Sequence, residues 1–477
     1  MRNNKTIKLI LGPLAGGLSH NSVKIWARSD SPAQMHVWFA SKDDVNDDAK
    51  YLGAAELLPE NGHAGILTLA GLKPDTKYFY AVSLKKKRPP RNDFHAFTTF
   101  PKPGTKKTFN FMFGSCYRPP DEHGGQTMDE LRGHIASDSL RFGLFLGDQI
   151  YADAANHNGL GRVAVTLDEY RAVYEHNWSR PAMQNFLPNL PLFMTLDDHE
   201  VDDDWRWRDL TRLWADISIL KKNTRLLSGR PPQERHLSGE RVRAALKAYH
   251  EHQAVHAPDL LLPFETDTKG EFVFRPHDPS SLAYTFYFGK AAFFVLDTRT
   301  MRVNKRGQKT MLGEGQWHVL KQWLKEVNHK YPAIFLVSSC SILHPFFFDI
   351  ANDRWMGFPK ERERLLEFLA VNEIEGVRIL TGDLHSGHAV TAELKSPSGK
   401  RIPIAEFCAS PFEQKSVWIS FGYIPLFSKW LARQKRHFYR AHPNFGIVHV
   451  DFDAPAPTVT FTLHYNNKGW KTMPITA

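Results

Sequence analysis

Apolar and polar residues follow two different rhythms along this chain. Up to about residue 104 they alternate with a period of two, as in Val23–Trp26 and Met35–Phe39, which predicts β-strands with one buried face. From Phe109 onward, short continuous apolar runs are separated by helical stretches, the signature of a layered α/β domain. The pattern therefore predicts an all-β domain over residues 1–104 and an α/β domain over residues 105–477.

A run in the first part narrows the type of β-domain. Between Leu72 and Tyr80, a leucine, a proline, a threonine and two tyrosines recur at every second position. This spacing is typical of fibronectin type III-like sandwiches, in which a tyrosine closes a corner. The Pro/Gly-rich stretch Pro101–Gly104 then predicts a linker.

The second part is predicted to contain seven buried strands: Phe109–Phe113, Phe142–Leu146, Leu192–Leu196, Phe293–Leu296, Ile334–Val337, Val377–Leu380 and Ile404–Phe407. Apolar residues at helical spacing predict helices over 315–327 and 362–369. A charged, Leu/Ala-rich interval predicts a helical segment at about 206–255. Aromatic and basic residues interleave over 417–440, which favours a helix packed on the core over a lid or a membrane-surface element.

Composition changes this picture in two respects. The 477 residues carry a formal net charge of +10, which suits anionic partners such as phosphate esters, nucleotides, nucleic acid or membranes, and equally suits mere solubility. Three widely spaced cysteines argue against a disulfide framework and for a reducing compartment. No apolar run approaches the length of about 20 residues that a transmembrane helix needs.

The candidate chemistry follows the ends of four predicted strands. These ends are Gly114-Ser115-Cys116, Gly147-Asp148 with Tyr151, Asp197–Glu200 with Asp202–Asp204, and Gly382-Asp383 with His385. The carboxyl ends of parallel strands border the ligand crevice of an open α/β sheet. We therefore expect these side chains to share one crevice.

Carboxylates gathered at such density repel one another, so cations must balance them. The softer ligands, Cys116, Tyr151 and His385, suit a transition metal, whereas the aspartates suit a hard divalent ion such as Ca²⁺, Mg²⁺ or Mn²⁺. A carboxylate placed like Asp148 could bridge the two. Paired metals can clamp the attacking and leaving oxygens of an in-line displacement, and a basic chain favours a phosphate ester as the substrate.

Taken singly, each motif also has a structural interpretation. Asp197–Glu200 could cap a helix, Cys116 could be a small buried thiol, and Gly382–His385 could form a turn. Their joint occurrence at four strand ends favours the metal site. A nuclease, a phospholipase-type phosphodiesterase and a non-enzymatic metal-containing binding protein remain alternatives.

The ordered set of motifs resembles the alkaline phosphatase D (PhoD-like) family of calcineurin-like metallophosphatases. The markers are Gly12–Gly16, Gly114–Cys116, Gly147–Tyr151, Asp197–Glu200, Leu296–Arg299, Gly313–Trp317, Asp353–Phe358, Gly382–His385 and Ala409–Pro411. The resemblance implies a four-layer αββα metallophosphatase domain after the fibronectin III-like sandwich. It also implies hydrolysis of phosphate mono- and diesters by in-line attack of a metal-bound hydroxide.

The resemblance further implies Fe³⁺ and Ca²⁺ as cofactors, with Mn²⁺, Mg²⁺ or Zn²⁺ as substitutes. Cys116, Asp148, Tyr151 and His385 would hold iron. Calcium would be held by Asp148, Asp204, Asp383 and either Asp197 or Asp198. The family pattern makes His199 the candidate for contacting phosphate or protonating the leaving oxygen, and Arg118 a candidate for binding phosphate; Asp148 completes the catalytic set as the bridging ligand.

The expected partner is a phosphate-ester substrate, which could be a small molecule, a phospholipid or a nucleotide. No stable nucleic-acid partner is expected, and the chain is predicted to be a monomer. Family members with a twin-arginine signal are exported. Because the start of this sequence lacks paired arginines, a cytoplasmic location is expected.

Overall fold

A computed structural model describes residues 6–41, 48–120, 124–209, 214–216, 234, 236–268, 272–273, 280–305, 307, 309–344, 353–414, 423–454 and 456–476. Its helices are α1 Gln126–Ser137, α2 Leu167–Trp178, α3 Pro181–Phe186, α4 Gly239–His252, α5 Gly313–Val327 and α6 Pro359–Val371. Its strands are β1 Leu9–Gly16, β2 Ser22–Ser29, β3 Ala33–Ala40, β4 Lys50–Leu57, β5 Ala64–Ala70, β6 Lys77–Ser83, β7 His95–Thr98, β8 Phe109–Gly114, β9 Leu140–Leu146, β10 Leu192–Thr195, β11 Arg206–Asp209, β12 Trp214–Asp216, β13 Leu260–Leu262, β14 Glu265–Thr266, β15 Phe272–Val273, β16 Ser281–Phe288, β17 Ala291–Val295, β18 Ala333–Val337, β19 Val377–Thr381, β20 Gly387–Lys395, β21 Arg401–Cys408, β22 Leu431–Arg440, β23 Asn444–Asp451, β24 Thr458–Asn466 and β25 Trp470–Thr476.

Two large sheets form the centre of the molecule. One has nine strands in the order β25-β24-β23-β8-β9-β10-β1-β2-β5, and the other has eight in the order β13-β16-β17-β18-β19-β21-β20-β22. In each sheet the central neighbours run parallel: β8, β9 and β10 in the first, and β17, β18, β19 and β21 in the second. All seven predicted strands of the α/β part are therefore confirmed.

The inner faces of the two sheets meet in an aromatic core. Phe142 of β9 packs against Phe111 at a centroid distance of 5.0 Å and against Phe293 of the opposite sheet at 5.6 Å. Phe293 in turn stacks on Phe335 at 4.6 Å. Offset and edge contacts of this kind add to the burial of large rings, so the sheets are joined rigidly beneath their edges.

Helices cover the two outer faces. The apolar residues of α1, α2 and α4 form a cluster with the outer face of the nine-stranded sheet, and those of α5 and α6 form another with the eight-stranded sheet. The predicted helices at 315–327 and 362–369 are α5 and α6. The resulting order of layers is helix, sheet, sheet, helix.

The first hundred residues form a strand-rich unit. β3, β4, β6 and β7 make a separate four-stranded sheet, while β1, β2 and β5 extend the nine-stranded sheet. The hydroxyl of Tyr78 accepts a hydrogen bond from the backbone N–H of Lys73 at 2.9 Å, which is the corner contact that the motif predicts. These sheets fit a β-sandwich, and the fibronectin type III assignment and the boundary at residue 104 stay predictions.

Two expectations about local structure need correction. The interval 206–255 begins with the strands β11 and β12, and its helix α4 spans Gly239–His252, while residues 217–233 lie outside the described part. The interval 417–440 ends in β22, whose burial alternates along one edge of the eight-stranded sheet; residues 415–422 are outside the described part. Residues Leu431–Arg440 form a strand because they pair with β20 at the edge of the sheet, and this pairing outweighs the weak helical pattern.

No helix in the described residues is long and apolar enough to cross a bilayer.

Candidate metal centre

Two glycines allow the strand-end loops to touch. A Cβ added to Gly147, after β9, would lie 2.3 Å from the Cβ of Asp197, which follows β10. A Cβ added to Gly382, after β19, would lie 2.4 Å from the hydroxyl oxygen of Ser115, which follows β8. Both distances are far below van der Waals contact, so each approach requires a glycine. The first joins two loops of the nine-stranded sheet, and the second joins a loop of each sheet.

Five of the predicted ligand residues have a left-handed backbone. Their φ values are 62° at Cys116, 57° at Asp148, 61° at Asp204, 64° at Asp383 and 48° at His385. Non-glycine residues pay a conformational cost in this region and cluster there at functional sites. The loops are therefore shaped to aim these side chains at one point, against local backbone preference.

The softer ligands gather on one side of Asp148. The Cys116 thiol donates to Asp148 Oδ2 at 3.3 Å, and the Tyr151 hydroxyl donates to the same oxygen at 3.4 Å. The Tyr151 oxygen is also 3.2 Å from Nε2 of His385. We call Cys116, Tyr151 and His385 the soft half of the site.

The aspartates gather on the other side. One ligand atom from each of Asp148, Asp197 and Asp383 lies within 4.8 Å of the others, and the same holds for Asp148, Asp198 and His199. A further group joins Asp198 to Asp203 and Asp204. We call Asp197, Asp198, Asp204 and Asp383 the hard half. Asp148 belongs to groups in both halves, as expected of a bridging carboxylate.

Arginines compensate part of the charge of the hard half. Arg299 is fully buried and donates from Nε to Asp197 Oδ1 at 2.6 Å, while its Nη2 lies 3.6 Å from Asp198 Oδ2. Its other nitrogens bind Asp353 at 2.5 and 3.2 Å. Arg354 forms a two-pronged pair with Asp383. These planar contacts orient the carboxylates as well as balance them.

The remaining excess of negative charge shows in the pKa values. Burial, together with the neighbouring Cys116 and Asp197, raises the pKa of Asp148 well above its ordinary value. Burial raises the pKa of Asp197 and of Asp204 to about 7, and that of Asp383 to about 6. Asp198 differs, because Arg299 and His199 outweigh the effect of burial and hold its pKa below the usual range.

The groups of the soft half are held in their neutral forms. Burial raises the pKa of the Cys116 thiol to about 12 and that of Tyr151 well above its ordinary value. Burial, with the positive charge of neighbouring groups, lowers the pKa of His385 to about 3. A neutral imidazole is ready to bind a metal, whereas the thiol and the phenol must each lose a proton.

The residues present fit a pair of cations. Oδ2 of Asp197 is buried and has no hydrogen-bond partner among the described residues, which leaves a carboxylate oxygen available as a ligand. The soft half offers sulfur, phenolic oxygen and imidazole nitrogen, whereas the hard half offers only carboxylate oxygens. Asp148 adds a carboxylate to both halves. This donor set matches a transition metal next to a hard divalent ion. The choice between Asp197 and Asp198 stays open, since both lie beside Asp148.

Two of the three predicted catalytic side chains, His199 and Arg118, lie against Tyr151. The His199 ring is 4.0 Å from the Tyr151 ring, centroid to centroid, and its Nδ1 is 2.8 Å from Oδ1 of Asp153. The guanidinium of Arg118 lies over the Tyr151 ring, 5.5 Å from its centroid. Both side chains therefore border the soft half.

Several residues with a role in the site were not assigned one from the sequence. Asp153 orients His199. Glu200 is fully buried, and its carboxylate accepts hydrogen bonds from the backbone N–H groups of Asp148, Gln149 and Asp197 at 2.8–3.2 Å. It thereby ties two ligand loops together. The sequence held one signal for Glu200, its place in the run Asp197–Glu200, and none for Asp153.

The sequence also matches known protein families. Residues 111–461 match the model of the PhoD-like phosphatase family, and residues 2–101 match the model of the N-terminal domain of PhoD-like phosphatases. Alkaline phosphatase D of Bacillus subtilis (strain 168) is 25% identical in an alignment 433 residues long that covers 81% of this chain and 66% of that protein. The chain thus spans slightly less than two thirds of the length of this relative.

Solved structures share the fold. A structure of PhoD superposes with a TM-score of 0.71 at 19% identity and covers 99% of this chain and 90% of its own. The purple acid phosphatase PPD1 from yellow lupin (Lupinus luteus) superposes with a TM-score of 0.58 at 12% identity and covers 97% of this chain and 73% of its own. The α/β part is therefore a metallophosphatase fold. Since the family model covers most of the sequence, from β8 to β24, this chain belongs to the PhoD-like phosphatase family.

Proposed function

We propose that the protein hydrolyses phosphate mono- and diesters at a site with two metal ions. The observation that carries this proposal is the convergence of four strand-end loops on Asp148, with a soft ligand set on one side and a carboxylate set on the other. The family assignment supports phosphoester hydrolysis, and the net charge of +10 suits an anionic substrate.

The soft half and Asp148 would hold iron, and the hard half and Asp148 would hold calcium. Cys116, Tyr151 and His385 complete the first site, while Asp204, Asp383 and either Asp197 or Asp198 complete the second. When bound, such ions supply Lewis-acid activation of water and neutralise charge on the phosphate oxygens.

The side chains around the metals have separate tasks in this proposal. Asp153 holds Nδ1 of His199 and so orients the ring. The imidazole would contact a phosphate oxygen and donate a proton to the leaving oxygen. Arg118 presents a positive charge beside Tyr151 and binds a phosphate oxygen. Glu200 keeps Asp148 and Asp197 at a fixed separation through their backbone N–H groups.

Metal analysis combined with a substrate panel tests the proposal. We expect iron and calcium by elemental analysis, hydrolysis of both p-nitrophenyl phosphate and bis(p-nitrophenyl) phosphate, and a visible charge-transfer band that Tyr151→Phe abolishes. A colourless, iron-free protein that is nonetheless fully active would overturn the iron assignment. Metal-replete protein that is inert towards all mono- and diesters would favour a non-enzymatic metal-binding protein instead.

The leaving-group role of His199 has its own test. His199→Ala should slow esters of poor leaving groups, such as alkyl phosphates, more than p-nitrophenyl esters, whose leaving oxygen needs little protonation. Asp153→Asn should cause a smaller loss of rate, again larger for alkyl phosphates than for p-nitrophenyl esters, because the imidazole remains but is less firmly oriented. Equal losses for both kinds of ester would argue that His199 contacts phosphate without transferring a proton.

A further inference from the structure

A cavity of about 590 Å³ lies beside the candidate metal centre. Its described lining includes two prolines, the carboxamides of Gln126, Gln414 and Asn466, and the charged side chains of Arg118 and Glu413. Sites for small organic molecules typically measure about 300–1,000 Å³ and combine apolar walls with a few polar groups. The size and the mixture of prolines and carboxamides therefore suit an organic group much larger than phosphate.

Two lining residues connect this cavity to the metal ligands. Arg118 lies over the Tyr151 ring, and the side chain of Gln414 hydrogen-bonds the Tyr151 hydroxyl. Nε of Arg118 is buried and has no hydrogen-bond partner among the described residues, so this donor is available to a ligand. A phosphate held between the metals and Arg118 would have the cavity directly beside it.

The charge of the lining restricts what can occupy it. Arg118 is the only lysine or arginine among the described lining residues, and the phosphate itself would engage it. The one carboxylate, Glu413, accepts hydrogen bonds from the backbone N–H groups of Gly125 and Thr127 at 2.5 and 2.6 Å. Within the described lining, a second phosphate in the cavity would therefore meet a carboxylate and no lysine or arginine besides Arg118. Gln126, Gln414 and Asn466 suit hydroxyls and ring heteroatoms.

We propose that the cavity receives an uncharged, hydrogen-bonding substituent of nucleoside size that is attached to the phosphate under attack. This inference rests on the proposed function and makes it more specific. The favoured substrates are phosphodiesters that carry one such organic group. Polyphosphates and compact alkyl esters bind without filling the cavity and react less efficiently.

Two chromogenic diesters with the same charge and the same leaving group test the proposal. They are thymidine 5′-(p-nitrophenyl phosphate) and methyl p-nitrophenyl phosphate, and the measured quantity is the ratio of their kcat/KM values. For the wild-type protein with its metals, we expect the ratio to favour the nucleoside ester by about tenfold or more, the range that apolar and polar pocket contacts supply. Gln126→Trp should reduce the ratio to about one.

Gln126 suits this experiment because it is an exposed first residue of α1, so the indole would occupy cavity space without removing a core contact. The matched control is Ala136→Trp, on an exposed position of the same helix outside the lining, which should keep the wild-type ratio. A wild-type ratio near one, or an equal loss for both esters in Gln126→Trp, would overturn the assigned occupant. So would hydrolysis of p-nitrophenyl phosphate with neither diester cleaved. Inactivity towards all three compounds would instead contradict the proposed function.

Discussion

The two halves of the candidate metal centre are built on opposite electrostatic principles. In the hard half, buried carboxylates face buried guanidinium groups, and Arg299 alone contacts Asp197, Asp198 and Asp353. In the soft half, the thiol of Cys116 lies 3.3 Å from each of the hydroxyls of Ser115 and Ser410 and has no ion pair around it among the described residues.

This difference indicates how each half is maintained before metals bind. The arginines make the hard half a charged network that contributes to the folded structure itself. The soft half is held as a set of neutral groups, in which a highly charged cation must displace protons from Cys116 and Tyr151. Loss of the hard half should therefore cost stability, whereas loss of the soft half should cost metal affinity.

Asp148→Asn should have the largest effect, because Asp148 is shared by both halves. We expect kcat/KM to fall by about three orders of magnitude, which is about 4 kcal/mol of activation free energy, together with loss of both metals. Kinetics and elemental analysis of the purified variant measure these two outcomes. Asp93→Asn, at an exposed position, is the control. Full diesterase activity in Asp148→Asn would exclude a shared ligand at this position.

Arg299→Met tests the hard half. Removing one partner of a buried ion network leaves charge uncompensated and typically costs about 3–5 kcal/mol. We therefore expect a large decrease in the free energy of unfolding in denaturant, even without metals. Arg132→Met breaks the exposed pair with Asp129 and should cost under about 1 kcal/mol. Similar unfolding midpoints for the two variants would contradict a structural role of the arginine network.

Cys116→Ser tests the soft half. The hydroxyl keeps the hydrogen bonds to neighbouring side chains, but it is a poor substitute for a thiolate ligand. We expect little change in the free energy of unfolding and a decrease of about 10–100-fold in affinity for the transition metal, comparable to the loss of a supporting group around a metal. Cys408→Ser, at another buried thiol that bonds to backbone carbonyls, should leave metal affinity unchanged.

The smallest predicted effect is a difference in pH dependence. Since the pKa of Asp197 and Asp204 is about 7 and that of Asp383 about 6, these carboxylates are ionised above pH 8. Because Asp148 is shared by both metals, calcium affinity should then rise less steeply with pH than transition-metal affinity. The pKa of Cys116 is about 12, so its thiol is still protonated and transition-metal affinity should keep rising with pH. Titrations with Ca²⁺ and with chelator-buffered Zn²⁺ between pH 7 and pH 9 would show this. Equal slopes of log affinity against pH for the two metals would contradict this difference.

Much of this site could be predicted from local sequence. The apolar run of β9 followed by Gly147 and Asp148 is a short-range pattern, and so is the run of β19 followed by Gly382 and Asp383. Parallel strands of one sheet align their carboxyl ends, so the loops after β8, β9 and β10 lie side by side. β19 belongs to the other sheet, and its loop joins them only through the packing of the two sheets. The helix expected near residue 430 was wrong because the edge pairing of β22 with β20 is not visible in the local pattern.

The sequence by itself determined the strand ends, the chemical types of the candidate ligands and the family. Only the tertiary structure decided how the ligands are supported, because those contacts join residues far apart in the chain. Arg299 lies 102 positions from Asp197 and 54 from Asp353, and Gln414 reaches Tyr151 from another loop. Hydrogen bonds and ion pairs depend on distances of a few ångströms, and such distances arise only once the two sheets have packed together.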